Sequence, residues 1–435
     1  MSIAAEARPH SGGGRAATVD FDHVSKRYPG QRGGGGAGGG RAGRAASGPD
    51  SRPSAGPAAV EDLTLHVPAG QICVLVGPSG CGKTTSLKMV NRLITPTSGR
   101  ILIDGVDAAT RDVTELRRSI GYVIQQVGLF PHETIAENVA TVPRLLGWSA
   151  ARQRQRAEEL LGLVGLEPAR YRDRYPSQLS GGERQRVGVA RALAADPPIM
   201  LMDEPFAAVD PIVRERLQNE FLRIQEDLAK TILFVTHDID EAIKMGDLVA
   251  VMQVGGHLAQ FGPPADVLAH PASEFVAQFV GADRGLKRLS LRRVGELPLL
   301  PVATARPGEP AGPARARALA DPFPYLLLVD DAGRPIGWIS HDEIPADGIL
   351  KAERAIAASP LLNRRTTLKD ALSMLLEADV QAGIVVDRNG VAQGLMTADT
   401  IADEMRASPR TAAAAAPQAA TAVPAQAAAT VEGAG

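Results

Sequence analysis

Cysteine is nearly missing from this 435-residue chain, which has only Cys73 and Cys81. Two cysteines cannot build a disulfide framework, and both fall in a stretch that reads as strand and Gly-rich loop, so a reducing cytosol is the expected compartment. Aromatic residues make up only 4%, and the formal net charge is −2. The Lys/Arg excess of a non-specific nucleic-acid binder is therefore lacking, and no nucleic-acid partner is expected. Long apolar runs are missing as well: no window approaches the ~18–20 residues that a spanning helix needs. The N-terminus, MSIAAEARPHSGGG, shows neither a basic start before an apolar run nor a cleavage site. Any membrane span is expected from another chain.

What the chain has in quantity is glycine (45) and proline (32), beside 44% hydrophobic and 22% charged residues that are ordinary for a globular protein with a sizeable core. At about 150 residues per domain, the length suggests roughly three domains or two plus unstructured sequence. The Gly/Pro excess concentrates in residues 30–57 and in an Ala/Pro-rich tail. Neither shows apolar periodicity able to repay the entropy of ordering, so both read as disordered. Four segments follow: a disordered N-terminus 1–16, a compact region 17–281 carrying the insertion 30–57, a smaller region 282–405, and a disordered tail 406–435. In the first compact region the apolar runs QICVLVG, PIMLMDEP, TILFVTH and LVAVMQVGG alternate with helical patterns, which predicts an α/β fold with a parallel sheet covered by helices.

The first run leads into Gly77-Pro-Ser-Gly-Cys-Gly-Lys83-Thr84, which matches G-x-x-x-x-G-K-[ST] in the strand-to-helix context that the motif requires. Gly77, Pro78, Ser79, Gly80, Cys81, Gly82, Lys83, Thr84 and Thr85 are the candidate phosphate contacts. Glycine lets backbone N–H groups encircle phosphate oxygens, and the following helix points its positive end at them. Lys83 is expected to reach the β and γ phosphates of ATP and the Thr84 hydroxyl to ligate Mg²⁺. Asp203 and Glu204 end the strand in PIMLMDEP, where paired carboxylates are costly to bury without a cation. Asp203 is the expected metal holder and Glu204 the group that polarises the attacking water; without the phosphate loop the pair would read as a surface strand end.

LSGGERQRVGVARA, beginning at Leu179, resembles the signature sequence of ABC-type ATPases. The resemblance implies a P-loop ABC ATPase domain, a mixed sheet with a helical subdomain, in which ATP is sandwiched between two copies. Ser180, Gly181 and Gly182 then form a second anion site at a helix start; a helix N-cap would account for Ser180 alone. The same resemblance makes Tyr28 in SKRYPG the residue that stacks on adenine, against the plainer reading of a surface tyrosine. It makes Gln125 in GYVIQQ, rather than the adjacent Gln126, a catalytic and metal-contacting glutamine. It assigns His237 in FVTHD as the switch histidine at the γ-phosphate, and Asp210 as the aspartate of the loop that crosses between copies. That loop reads Ala-Ala-Val-Asp where the family usually has Ser-Ala-Leu-Asp. The Gly-rich insertion replaces a short link after Tyr28, which loosens the expected hold on that residue.

Longer stretches, LKMVNRLITPTSG and ELRRSIGYVIQQVGLFPHETIAENVATVPRLLGW, are similar to the ATPase subunits of bacterial glycine betaine, choline and proline betaine importers. The implied partners are a second copy, transmembrane permease subunits and an extracytoplasmic or fused substrate-binding protein, with the chain peripheral on the cytoplasmic face of the inner membrane. An importer ATPase for another small solute such as an amino acid, and more remotely an ABC ATPase acting on nucleic acid, stay open. In the second region PYLLLVDDAGRPIGWISHDEI and QAGIVVDRNGVAQGLMTADTIADEM each read as strand, turn, strand and helix, a weak repeat resembling paired CBS modules. Leu368, Ala371, Leu372 and Leu375 define one face of a helix before the second repeat. The equivalent helix before the first is expected to be broken by proline and glycine. Neither Ser340 with Glu343 nor Thr397 with Asp399 fits the usual nucleotide pattern, so no ligand is assigned. The basic junction of Arg284, Lys287, Arg288, Arg292 and Arg293 reads either as a solvated linker or as a contact with anionic lipid.

Overall fold

The runs ICVLV, IMLMD and TILFVT form strands Ile72–Val76, Ile199–Asp203 and Thr231–Thr236, each buried along its whole length, as strands covered on both faces must be. They lie in a computed structural model that describes residues 16–29, 55–124, 128–207 and 209–407. The chain divides into two compact units, Met1–Leu291 and Arg292–Gly435. The N-terminus through residue 15, residues 30–54, Gln125, Gln126, Val127, Ala208 and the tail from residue 408 lie outside the described residues.

In the first unit the three strands belong to a six-stranded sheet with the order His257–Gly262, Leu248–Gln253, Ile72–Val76, Thr231–Thr236, Ile199–Asp203, Ile120–Val123. All neighbours pair parallel except the antiparallel edge strand His257–Gly262. Alternate residues feed two cores: Ile72, Val74 and Val76 face one, Cys73 and Leu75 the other. Burial pushes the Cys73 thiol up to about 12, so this cysteine behaves as a small apolar core residue. Because the strands run parallel, their C-terminal ends share one edge, the usual place for a ligand in open α/β sheets.

A separate antiparallel sheet has the order Ala55–Val67, Val19–Pro29, Ser98–Ile103, Val106–Asp107. Pro29 pairs with Ala55, so residues 55–57, expected within the disordered insertion, belong to a strand. Cross-strand hydrogen bonding supplies order that Ala-Gly-Pro has no local propensity for. Tyr28 consequently lies on a paired strand. The junction also differs from a solvated linker: helix Arg284–Ser290 closes the first unit, and Lys287, only 11% exposed, donates to Val280 O at 2.9 Å and lies 3.3 Å from Asp240 and 3.2 Å from Asp283. Arg292 is paired in turn with Glu296 and Glu404 in the second unit.

The second unit repeats one topology. Strand Thr304–Ala305 pairs parallel with Tyr325–Val329, which pairs antiparallel with Pro335–Ser340; Leu361–Asn363, Ala382–Val386 and Ala392–Thr397 do the same. Leu327 and Trp338 of the first half share a core with Ile384 and Leu395 of the second. In helix Leu368–Leu376, Leu368, Ala371 and Leu375 are buried, as their spacing predicts. The helix expected to be broken forms, as Ala311–Ala320. Pro313 falls in its first turn, where an N–H has no intrahelical partner to lose and a fixed φ is already helical. The halves differ later: helix Ala398–Ala407 follows the second hairpin, whereas only the short turn His341–Glu343 follows the first.

Candidate functional site

The phosphate loop begins where the central strand Ile72–Val76 ends and closes on helix Lys83–Val90. Gly82 caps that helix with φ +95°, and a Cβ there would lie 2.2 Å from Ala59 O; one on Gly77 would lie 2.1 Å from Met252 O. These two glycines are fixed by the chain itself. A Cβ on Gly80, by contrast, would meet nothing within 4 Å, so the space above it is open. Pro78 is half-buried and Ser79 exposed, while the Cys81 side chain turns into the core. Thr85 is half-buried in the first helical turn.

Lys83 is 6% exposed, and its Nζ donates to Gly77 O at 2.7 Å and Pro78 O at 2.9 Å, with Cys81 Sγ 3.6 Å away. Its described acceptors are neutral. A buried ammonium whose acceptors are two carbonyls and a sulfur has no direct ion pair among the described residues, which fits the loop to an anion. Thr84 Oγ1 donates to Asp203 Oδ1 at 2.9 Å. Asp203, 8% exposed, has its carboxyl pushed up by burial, with the Thr84 hydrogen bond opposing. A hydroxyl and a desolvated carboxylate side by side are the oxygen donors a small hard cation takes, so these residues fit Mg²⁺.

Glu204 follows at once with φ +45°, left-handed backbone that a non-glycine residue holds only under constraint. The constraint is visible: Glu204 N donates to Val235 O at 2.9 Å, tying the strand end to its neighbour. This turn brings Glu204 Oε1 to 3.2 Å from His237 Nδ1. His237 stands 58% exposed at the end of strand Thr231–Thr236, and Asp238 behind it caps helix Ile239–Met245. Lys83, Thr84, Asp203, Glu204 and His237 are thus gathered at one sheet edge by three adjacent parallel strands.

The other expected contacts are placed apart from this cluster or elude it. Tyr28 is 44% exposed with Lys26 Nζ 5.3 Å from its ring centre. Asp210 caps helix Pro211–Leu228 by accepting from Ile212 N at 3.0 Å. Gln125 lies outside the described residues. Ser180 caps helix Gly181–Leu193 in a reciprocal box, Glu183 N donating to Ser180 Oγ at 3.3 Å and Ser180 N to Glu183 Oε2 at 2.7 Å. A Cβ on Gly181 would meet nothing within 4 Å, and one on Gly182 only side-chain carbons, the nearest Val213 Cγ1 at 3.5 Å. The box is readable as S-x-x-E, but no motif points to Tyr171, whose hydroxyl donates to Glu183 Oε1 at 2.6 Å.

A phosphate loop, a metal-type oxygen pair and a constrained Glu–His pair on parallel strand ends define a P-loop ATPase. The ABC transporter family profile matches residues 60–207. The chain is 48% identical over 346 residues to the osmoprotectant import ATP-binding protein OsmV of Salmonella typhimurium, covering 79% of this chain and 90% of that protein. It is 41% identical over 355 residues to the glycine betaine/carnitine/choline transport ATP-binding protein OpuCA of Bacillus subtilis, covering 80% and 92%. The chain belongs to the ABC transporter ATP-binding proteins. Its fold is shared with cbiO1 of Clostridium perfringens, part of the ABC transporter complex cbiONQ, at 24% identity and a TM-score of 0.50 over 63% of this chain and 94% of that one.

Proposed function

We propose that this chain is the ATP-hydrolysing subunit that energises import of quaternary ammonium osmoprotectants such as glycine betaine, choline and proline betaine. The relatives carry the substrate class in their names. The observation that carries the chemistry is the Glu204–His237 pair, set one residue beyond an Asp203 already bonded to Thr84. Among the described residues no helix is long and apolar enough to cross a membrane. In this reading the permease is a separate chain, and the ATPase sits peripherally on its cytoplasmic side.

Lys83 exchanges its loop carbonyls for β- and γ-phosphate oxygens, a stronger charge-assisted bond. Thr84 and Asp203, with Gln125 by family resemblance, hold Mg²⁺, which supplies charge neutralisation on the phosphate oxygens. Glu204 accepts from the attacking water and polarises it, and His237 orients Glu204 and faces the γ-phosphate. Tyr28 stacks on adenine. Ser180, Gly181 and Gly182 of a second copy donate to the γ-phosphate across the interface, beside Asp210. That a Cβ on Gly181 would meet nothing within 4 Å among the described residues leaves room for an occupant arriving from outside. An extracytoplasmic or fused binding protein delivers the solute, and the second unit regulates as a CBS-like pair.

Reconstitution with permease and binding protein tests this: ATPase activity is expected to rise with a betaine-loaded receptor. Stimulation by an amino-acid receptor instead, or by nucleic acid, refutes the assignment.

A further inference from the structure

The carboxylate of the capping box is held from two sides. Glu183 Oε2 accepts from Ser180 N at 2.7 Å, and Glu183 Oε1 accepts from Tyr171 Oη at 2.6 Å. A capping box needs only the first bond; the second fixes the remaining torsion of the carboxylate. Tyr171 is itself immobilised. Its ring is buried in the main core, with the guanidinium groups of Arg170 and Arg174 at 5.5 Å and 4.9 Å from its centre. Arg174 O accepts from Ile135 N at 2.8 Å and Arg172 O from Ala136 N at 3.0 Å, so the segment that carries Tyr171 is bound to helix Ile135–Val139. The protonation states are consistent with a fixed hydrogen bond. The Tyr171 hydroxyl, with help from the Ser180 backbone, draws the Glu183 carboxyl down to about 2, and Glu183 raises the Tyr171 phenol. One partner stays charged and the other stays a donor throughout the physiological range.

We infer that Tyr171 is a positioning residue for the second anion site, holding Ser180, Gly181 and Gly182 through Glu183 in the geometry that receives the γ-phosphate bound to another copy. The inference rests on the proposed two-copy closure around ATP. The principle is preorganisation: donors that are already aimed need no reordering when the phosphate arrives. Tyr171 touches no substrate, so its loss is felt in closure and not in the first binding of ATP to the phosphate loop.

The test is Tyr171→Phe in the full-length chain, which keeps the buried ring and deletes only the hydroxyl. In a Glu204→Gln background, ATP-driven dimerisation is followed by light scattering, and ATP affinity of the single chain is measured separately with a fluorescent ATP analogue at concentrations below closure. We expect the ATP concentration for half-closure to rise about ten-fold, the lower end for a hydrogen bond to a charged group, with single-chain affinity unchanged. In the otherwise wild-type chain the KM for ATP rises while kcat at saturation changes little. Glu183→Gln, which still offers one oxygen and places it by the same packing, should fall between the two. Unchanged half-closure in Tyr171→Phe overturns the inference while leaving two-copy closure standing. A parallel loss of single-chain ATP affinity overturns it as well, because the effect is then general. If Glu204→Gln alone fails to dimerise with ATP, the closure reading falls and takes this inference with it.

Discussion

Replacing Gly181 by Ala separates what a glycine does for the fold from what it does for the site. Gly181 is the first residue of helix Gly181–Leu193, and an added Cβ would meet nothing within 4 Å. Alanine also narrows the unfolded ensemble and favours helix, so the folded chain should be unchanged or more stable by up to about 0.5 kcal/mol. Gly82→Ala is the contrast: left-handed backbone at φ +95° and a Cβ 2.2 Å from Ala59 O should cost about 2 kcal/mol or more. In the two-copy reading a methyl on Gly181 stands where a phosphate oxygen must approach the helix-start amides. Overpacking of that kind costs ~1–3 kcal/mol, or roughly 5- to 150-fold in turnover.

The assay pairs phosphate release by the full chain with urea unfolding read by tryptophan fluorescence. The chain has two tryptophans, Trp148 in the first unit and Trp338 in the second, so a Trp338→Phe background reports on the first unit alone. A stable Gly181→Ala chain with lost turnover supports the reading. Wild-type turnover would falsify the anion-site role of the helix start, and marked destabilisation would contradict the open space above Gly181.

Glu204→Gln should retain ATP and lose at least ~100-fold in turnover, since a general base contributes about 10²–10⁴; steady release of phosphate at the normal rate removes Glu204 from that role. Pro313→Ala should shift second-unit stability by less than ~0.5 kcal/mol, whereas Ala318→Pro, deep in the same helix and fully buried, should cost ~3 kcal/mol or more; equal effects in urea would refute the first-turn placement. Glu183 has a folded-state pKa of about 2 against an ordinary 4.5, so its contribution is fully present above about pH 4.5 and fades as pH falls toward 2. Circular dichroism across that window should show Glu183→Gln less stable at pH 6 and less sensitive to acid; an identical acid profile would refute the linkage.

The legible part of the fold is the part written in contiguous residues. Runs such as ICVLV and TILFVT are apolar along their whole length because both faces are covered, and they form the central strands. What escapes depends on position within an element or on distant partners. Pro313 looks like a helix breaker because composition registers a proline but not that it sits in a first turn. Residues 55–57 have loop composition and become strand through pairing with Pro29 and its neighbours. The basic junction promises exposed charge, yet Lys287 is covered by Asp240 and Asp283 from two different segments.

The site divides along the same line. Lys83, Thr84, Asp203, Glu204 and His237 each announce themselves within a few residues of a strand end, and parallel pairing then brings those strand ends to one sheet edge. The support behind them is long-range and silent in the sequence: the left-handed turn at Glu204 is enforced by Val235, and the helix start at Ser180 is steadied by Tyr171. A residue that receives phosphate is constrained by the ligand's chemistry, which narrows its identity to a few types at fixed spacing. A residue that steadies it is constrained only by reach and a donor, which many sequences can supply from many positions. Motif reading therefore finds the groups proposed to meet ATP and passes over those proposed to aim them. The energetics of the single chain point the same way. Its Lys83 ammonium is already hydrogen-bonded by loop carbonyls, so binding there consists of exchanging partners, and the residues that hold the loop geometry decide how much of the exchange is kept as affinity.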